Sequence, residues 1–257
     1  MSAAVVLVTD YGVDDAYAAA LIGAIWRVDP SLRCVAGTHG VPRGDLLAGA
    51  YSVKSVGRAF APGTVICAVV DPGVGTPRRA IAIDAGGVFC VAPDNGLVAY
   101  LWNEAPAQSR RCVTVDVPED ASSTFHGRDV FAPVAARLAA GARLEECGAP
   151  TAQPVTLDAA FAVVEPGGVA GRVIAVDHFG NAITSVRDVD LDGRRVVAAS
   201  WEHGCVQGVA RTYAEIGTGL AAVLGSAGHL EVAADGRPAA SLGGPRRGQV
   251  VRVEVEG

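Results

Sequence analysis

The chain has 257 residues, of which 50% are apolar and 5% are aromatic, and its formal net charge is −6 at pH 7. This length and composition predict a compact α/β protein and exclude disordered and fibrous classes. The acidic balance argues against nucleic acid and anionic membrane surfaces as partners.

The six cysteines are widely spaced and include no C-x-x-C pair, so neither a disulfide framework nor a zinc site is expected. The apolar run at residues 3–8 is too short for a signal peptide. No later run is long enough to cross a bilayer. We therefore expect a reduced, cytoplasmic protein.

Predicted strands and helices alternate along the first part of the chain. Strands are expected at residues 3–8, 34–38, 65–70, 81–84 and 88–91, and helices up to about residue 26, at 45–60 and at about 130–140. The last two strands form a predicted hairpin, and Asp14 and Asp15 fall in the first turn of the first helix. The alternation predicts an N-terminal α/β domain over residues 1–155, with a mostly parallel sheet covered by helices.

The pattern changes after Cys147. Proline and glycine punctuate the segment up to Gly168, which is typical of a linker. Short apolar runs follow at residues 173–176, 196–198, 221–224, 229–232 and 250–255. Turn signals separate these runs and helical periodicity is nearly absent, so the sequence predicts a small β-barrel domain over residues 166–257.

Polar residues follow the third predicted strand, at the edge of the sheet where open α/β folds bind ligands. Asp71 comes directly after this strand, and Arg78 and Arg79 close the glycine-rich turn that follows it. Taken alone, this stretch fits a capped turn with solvated arginines better than a reactive site.

Three further clusters carry polar side chains. Asp10, with Asp14 and Asp15, follows the first strand and fits a metal site, a set of acceptors for ribose hydroxyls, or helix capping. His126 precedes a predicted helix, whose N-terminal field disfavours the imidazolium ion. Residues 177–181 fit an Asx turn as well as a binding loop.

Five motifs occur in order along the chain: V-D-P-G-V-G-T-x-R-R, A-P-D-N-G-L, F-H-G-R-D, D-x-F-G-N-x-I-T and G-S-x-G-x-L-E-V-A. Together they resemble the S-adenosyl-L-methionine hydrolases that form adenosine. These are the hydroxide adenosyltransferase branch of the superfamily that includes the fluorinase and the chlorinase. Any single motif is weak evidence, whereas five in the same order, from Thr9 to the C-terminus, are strong evidence.

This resemblance implies an α/β domain and a β-barrel assembled as a homotrimer, with each site between the N-terminal domain of one subunit and the C-terminal domain of its neighbour. It implies S-adenosyl-L-methionine as substrate, no metal or other cofactor, and attack of water on the ribose C5′ carbon. The residues to which it assigns roles are the water-activating Asp71, Arg78 and His126, the ribose-binding Asp10, the adenine-side Asp177, Phe179 and Asn181, and the methionine-side Ser226.

The chemistry of this reaction fits these assignments. A sulfonium makes methionine a good leaving group, so catalysis has to supply an oriented, desolvated water. Free water has a pKa of about 15.7, so a base or an ion-stabilising group is needed at neutral pH. Asp71 or neutral His126 would accept the proton, while Arg78 stabilises the developing hydroxide. Halide-using relatives carry tyrosines at the positions of Asp71 and His126, which indicates the water-using branch.

Four positions depart from the family pattern and leave individual contacts open. Gly40 stands where relatives carry an acid, and Ile183 stands where the halogenases place a tryptophan beside adenine. Ala227 and Ala234 replace arginines near the methionine end. The methionine contacts are therefore the least defined part of this interpretation.

Two other functions remain open. Residues 8–15 also resemble the D-T-D-x-G-x-D-D calcium loop of nucleoside hydrolases, metal-dependent enzymes that cleave N-glycosidic bonds. Val8 replaces the first acid of that motif, which removes one metal ligand. A non-catalytic binder of adenosyl compounds is the second alternative, and the complete set of Asp71, Arg78 and His126 argues against it.

Overall fold

The computed structural model describes residues 4–257, so Ala3, where the first strand is predicted to begin, lies outside the described residues. The chain divides into two compact units, Met1–Leu157 and Asp158–Gly257. Among the described residues, every helix is too short or too polar to span a bilayer.

The described part of the first unit contains seven strands and four α-helices. The strands are β1 (Ala4–Thr9), β2 (Arg33–Thr38), β3 (Val65–Val69), β4 (Ala80–Ala85), β5 (Val88–Pro93), β6 (Arg110–Val115) and β7 (Ala149–Pro150). The helices are α1 (Tyr17–Val28), α2 (Leu46–Ala59), α3 (Ala99–Glu104) and α4 (Ala132–Ala139). Short 3₁₀ turns lie at Ala107–Ser109 and Leu144–Glu146.

The sheet of the first unit has the order β2-β1-β3-β5-β4-β6-β7. The first four strands of this order are parallel, and β4 runs antiparallel to β5 and β6. All five residues of β3 are buried and apolar, which suits a central strand covered on both faces. The predicted hairpin is confirmed, since Ala85 of β4 pairs with Val88 of β5. Because β1 and β3 are parallel, the loops that follow them leave the same edge of the sheet.

The first helix begins later than predicted. Gly12, with a φ of 68°, donates its backbone N–H to the carbonyl oxygen of His39 at 2.8 Å, which ties the loop after β1 to the loop after β2. The chain enters α1 only at Tyr17, and Asp14 and Asp15 are exposed loop residues. The prediction that these two acids occupy the first helical turn is therefore wrong.

The alanine-rich helix is shorter than its predicted range, residues 130–140. Regular α4 begins at Ala132 and follows a π-helical turn at Gly127–Phe131. Pro133 lies in the first turn of α4, where its missing N–H breaks no helical hydrogen bond. Wide helical turns of this kind are frequent at functional sites, and this one begins directly after His126.

The second unit consists mainly of short strands. They are β8 (Val163–Glu165), β9 (Gly168–Val176), β10 (Ala182–Arg187), β11 (Arg195–Trp201), β12 (Gly204–Gln207), β13 (Val209–Ala210), β14 (Leu220–Leu224), β15 (His229–Ala234) and β16 (Val250–Glu256). A short helix, α5 (Asp188–Leu191), follows β10, and 3₁₀ turns lie at Asp158–Ala160, Tyr213–Glu215 and Ala239–Leu242.

These strands form one nine-stranded sheet with the order β12-β11-β16-β9-β10-β15-β14-β13, and β8 pairs with β9. Its pairs are antiparallel except for β13 and β14. β12 contacts β14 near the other end of the order, so the sheet is nearly closed into a barrel. The apolar core inside includes Val173, Leu230 and Val253. The predicted fold class, an α/β domain followed by a β-barrel, is confirmed.

Two parts of the predicted linker are strand residues instead. Ala149–Pro150 pairs with β6 in the first unit. Pro166 and Gly167 form the turn of a hairpin in which Glu165 of β8 pairs with Gly168 of β9. Gly167 has a φ of 79°, a conformation that glycine adopts without steric cost. The proline and glycine residues therefore mark tight turns in sheets, and the prediction of a loose connection there is wrong.

All six cysteines are free thiols. Cys67, Cys90, Cys112 and Cys147 are buried, Cys34 is partly buried, and Cys205 of β12 is exposed. Burial raises the pKa of the Cys67 thiol to about 12 and that of Cys112 to about 11. The buried thiols therefore behave as small apolar side chains.

Candidate active site

A cavity of about 570 Å³ lies in the first unit, at the edge of the sheet where β1 and β3 end. Its walls are formed by the loops after these strands, by residues 43–44 before α2 and by residues 124–127 before α4. Asp10, Asp71 and His126, each singled out from the sequence, line this cavity.

Asp71, Arg78 and His126 form one hydrogen-bonded group. Arg78 Nε donates to Oδ1 and Oδ2 of Asp71 at 3.0 and 3.1 Å, and Arg78 Nη2 also donates to Oδ2. The same Nη2 lies 2.9 Å from Nδ1 of His126. The side chains of Asp71 and Arg78 are 5% and 11% exposed, and His126 is 6% exposed. The structure therefore brings the three residues together in a largely desolvated position.

The contact with Arg78 determines where neutral His126 carries its proton. A guanidinium nitrogen can only donate, so Nδ1 accepts and the ring proton lies on Nε2. Burial lowers the pKa of His126 below its usual 6.5, and the charge of Arg78 lowers it further, while Asp71 and Asp129 oppose the shift. His126 is therefore neutral at pH 7 and presents an Nε2–H donor. Burial is the largest cause of this shift.

Close backbone packing places the turn after β3 against the segment that carries His126. Gly75 has a φ of 77°, and a Cβ at this position would lie 2.5 Å from the carbonyl oxygen of Ser123. Only glycine permits this approach without a shift of the backbone. Asn95 Nδ2 donates to the carbonyl oxygen of Val70 at 2.9 Å and fixes the backbone directly after β3.

Asp10 lies on the same cavity but is separate from the other two acids of its predicted cluster. Its Oδ2 accepts a hydrogen bond from the backbone N–H of Gly44 at 2.8 Å. Asp14 and Asp15 are exposed and do not line the cavity. Across residues 4–257, no group of three or more His, Cys, Asp or Glu side chains is placed to hold a metal ion. The geometry therefore favours Asp10 as an acceptor for a ligand.

Arg79, the second arginine of the turn, binds different partners and does not line the cavity. Its Nε donates to Oδ2 of Asp94 at 2.7 Å, and its Nη1 donates to Oγ1 of Thr151 at 2.7 Å. Its Nη2 donates to the carbonyl oxygen of Gln153, and Asp94 Oδ1 accepts from the backbone N–H of Val155 at 2.7 Å. This network attaches the last segment of the first unit to its sheet. The residue pattern by itself does not separate the two arginines, and only the family resemblance singled out Arg78.

In the second unit, Asp177, Phe179 and Asn181 belong to one tight turn. Asp177 Oδ1 accepts from the backbone N–H groups of Phe179 and Asn181 at 3.0 and 2.8 Å. Its Oδ2 accepts from Asn181 Nδ2 at 2.9 Å. The carboxylate therefore organises an Asx-type turn, which holds Asn181 at 4% exposure and leaves the ring of Phe179 73% exposed.

Ser226 lies in the turn between β14 and β15. The backbone N–H of Gly228 donates to the carbonyl oxygen of Gly225 at 2.9 Å and closes this turn, and Ser226 is exposed. Two of the departures from the family pattern are buried in the barrel: Ile183 and Ala234, at 2% and 7% exposure. At these two positions, compact apolar packing is the observed role.

Glu231 of β15 is a buried acid that sequence reasoning did not single out. It is 4% exposed, and it accepts a hydrogen bond from the hydroxyl of Tyr213 at 2.9 Å. Burial raises the pKa of Glu231, Tyr213 opposes the shift, and the charge of Asp177 adds to it. Its carboxyl group occupies the space that a Cβ on Gly225 would fill. Its place as the acid of the motif G-S-x-G-x-L-E-V-A is the sequence signal that could have identified Glu231.

Comparisons with known proteins identify the family to which the two units belong. Residues 5–148 match the model of the SAM hydroxide adenosyltransferase N-terminal domain, and residues 171–252 match that of the C-terminal domain. A protein from Salinispora arenicola named (R)-S-adenosyl-L-methionine hydrolase is 40% identical over 259 residues, covering 95% of each chain. A protein of the same name from Salinispora tropica is 39% identical over 255 residues, with the same coverage.

Among solved structures, an uncharacterized conserved protein from Thermotoga maritima superposes with a TM-score of 0.86 at 31% identity. The superposition covers 97% of this chain and 99% of that chain. The two domain models match one unit each, and the two Salinispora relatives and the Thermotoga structure match across both units. The chain belongs to the SAM hydroxide adenosyltransferase family.

Proposed function

We propose that this protein hydrolyses S-adenosyl-L-methionine to adenosine and L-methionine, with a preference for the (R) epimer of the sulfonium. Family membership supports the reaction, and the names of the two Salinispora relatives suggest the substrate and the epimer. The observation that carries the proposal is the hydrogen-bonded group of Asp71, Arg78 and His126 beside an open cavity.

The reaction needs a nucleophile at carbon and no activation of the leaving group. The water oxygen forms a bond to C5′ of the ribose while the C5′–S bond breaks. The electron pair of that bond goes to sulfur, which leaves as the neutral thioether of methionine. One proton of the water has to be taken up as the new C–O bond forms.

Asp71 is the proton acceptor in this proposal. Each carboxylate oxygen can accept two hydrogen bonds. Oδ2 accepts from both Nε and Nη2 of Arg78, whereas Oδ1 accepts from Nε alone and keeps one position for a water. The guanidinium of Arg78 also lies 5.2 Å from the ring centre of Phe131, which helps to hold it in place.

His126 orients the water in this proposal and does not remove its proton. Its Nδ1 is occupied by Arg78, and its Nε2 carries the ring proton. An Nε2–H group donates to a lone pair of the water oxygen, so the ring positions the nucleophile while Asp71 receives the proton. A lowered pKa keeps His126 in this neutral form.

Asp10 binds the ribose hydroxyls, because its carboxylate lines the cavity and the backbone N–H of Gly44 holds one of its oxygens. We further propose that the chain forms a homotrimer, in which Asp177, Phe179, Asn181 and Ser226 of a neighbouring subunit complete the site. The exposed ring of Phe179 is suited to stack on an adenine. Light scattering should give three times the monomer mass, and a fully active monomer would contradict this assembly.

The function is tested by incubating the purified chain with separated (S) and (R) epimers, with and without EDTA, followed by chromatography. We expect equal amounts of adenosine and methionine, faster release from the (R) epimer, and no effect of EDTA. Release of adenine, or loss of activity in EDTA, would contradict the proposal and favour a metal-dependent nucleoside hydrolase. Binding without turnover would favour a non-catalytic binder of adenosyl compounds.

A further inference from the structure

Tyr11 lines the cavity, and none of the described residues forms a hydrogen bond with its hydroxyl group. Tyr11 follows β1 and Asp10, and its side chain lines the cavity together with Asp71 and His126. Among the described residues, no fully buried side-chain nitrogen or oxygen lacks a partner. The Tyr11 hydroxyl is therefore not fully buried, and it is available to a ligand or a water.

The position of this hydroxyl is fixed from two sides. The ring of Tyr11 packs edge-on against Phe125 at 5.9 Å and lies 5.8 Å from Tyr17, measured between ring centres. The hydroxyl oxygen touches the backbone of Gly127, since a Cβ on that residue would lie only 2.2 Å from it. The missing side chain of Gly127 therefore makes room for the hydroxyl.

This contact places the hydroxyl at the end of the cavity where water activation is proposed. Gly127 directly follows His126 and begins the π-helical turn. Burial raises the pKa of Tyr11, and the neighbouring Cys67, Asp10 and Asp71 raise it further. The phenol therefore stays protonated at neutral pH and can donate a hydrogen bond.

We propose that the Tyr11 hydroxyl, seated against Gly127, donates a hydrogen bond to the attacking water and is a further positioning residue for the reaction. This inference rests on the proposed function. Asp71 accepts one proton of the water, and one lone pair of the water oxygen stays free to attack C5′. Tyr11 and His126 both donate to the other lone pair. The residue pair Tyr11 and Gly127 thus couples the loop after β1 to the segment that carries His126.

The first experiment compares Tyr11→Phe with the wild-type chain in S-adenosyl-L-methionine hydrolysis. We expect kcat to fall about ten-fold, as for loss of one hydrogen bond, with KM changing less than about two-fold. Tyr51→Phe removes a hydroxyl from α2, away from the cavity lining, and should leave both constants unchanged. An unchanged kcat in Tyr11→Phe, or a rise in KM alone, would overturn the role in water positioning.

The second experiment tests the contact by thermal melting and needs no substrate. Gly127→Ala should lower the melting temperature, because its Cβ collides with the Tyr11 hydroxyl. The double variant Tyr11→Phe/Gly127→Ala should recover part of that loss. A double variant no more stable than Gly127→Ala would overturn the contact. Absence of turnover by the wild-type chain would contradict the proposed function, whereas turnover with a fully active Tyr11→Phe would contradict only this inference.

Discussion

The two arginines that close the turn after β3 serve different regions of the first unit. Arg78 joins Asp71 to His126 at the cavity, whereas Arg79 joins Asp94 to the last segment of the unit. The side chains of both aspartates are nearly unexposed and ion-paired, so ion-pair geometry alone does not identify a reactive carboxylate. The difference lies in the surroundings of the second oxygen: Oδ1 of Asp94 accepts from the backbone N–H of Val155 away from the cavity lining, whereas Asp71 lines the cavity, so that the free acceptor position on its Oδ1 is available to a water there.

The largest difference in kcat is expected between variants of the two aspartates. Asp71→Asn removes the proposed proton acceptor and should lower kcat by about 10²–10⁴-fold, with the affinity for adenosine nearly unchanged. Asp94→Asn should instead lower the free energy of unfolding by about 1–3 kcal/mol and keep kcat near the wild-type value. Turnover assays, calorimetric titration of adenosine and thermal melts measure these effects. Near-normal turnover by Asp71→Asn would show that this loop is not the catalytic centre.

The next largest difference in kcat is expected between variants of the two arginines. Arg78→Lys keeps the positive charge but loses the planar fork that binds Asp71 and His126 together, so kcat should fall about 10²-fold. Arg79→Lys, the matched control, should melt at a lower temperature and retain its kcat. Equal losses of activity in both variants would mean that the two regions are not functionally distinct.

The smallest and most specific effect is expected from the titration of His126, which should shape the dependence of kcat/KM on pH. Its lowered pKa means that the ring is neutral above pH 6.5 and gains a proton only in more acidic solution. Protonated Nδ1 would face the guanidinium of Arg78, so kcat/KM should be flat from pH 8 to about 6.5 and fall below that. The unfolded chain binds this proton more readily, so the contribution of His126 to stability is also lost as the pH falls.

The matched variant for this profile is His126→Asn. Its amide oxygen can still accept from Arg78, but the Nε2–H donor is lost and the side chain no longer titrates. We expect kcat to be about ten-fold lower and the acidic limb of the profile to disappear. If the limb persists in His126→Asn, another group produces it and the assignment of this titration to His126 is wrong.

Features that depend on one stretch of sequence were predictable. The hairpin of β4 and β5 follows from two apolar runs around Gly86 and Gly87, and Asp71 was correctly placed at a strand end. The family resemblance then indicated which other residues to consider with Asp71. Fold class and the membership of the central group were therefore accessible without coordinates.

Features that depend on the direction of loops were not predictable. The resemblance assigned a role to Arg78, but no residue pattern shows why Arg78, and not Arg79, reaches Asp71. That depends on how the turn packs, with the close approach of Gly75 to Ser123. The late start of α1 depends on the hydrogen bond from Gly12 to the loop after β2. The contact between Tyr11 and Gly127 joins residues far apart in sequence and leaves no periodic pattern. Such pairings follow from tertiary packing, which sequence order alone does not encode.

The distribution of the thiols allows selective labelling, which can be used to measure exchange of subunits between assemblies. Cys205 is exposed on β12, whereas burial raises the pKa of Cys34, Cys67 and Cys112 and makes them slow to react. A maleimide dye should therefore attach mainly at Cys205, one label per chain and outside the cavity lining of the first unit. Chains labelled separately with donor and acceptor dyes would show energy transfer after mixing if they exchange into common assemblies. The wild-type sequence thus carries its own attachment point for following subunit exchange in real time.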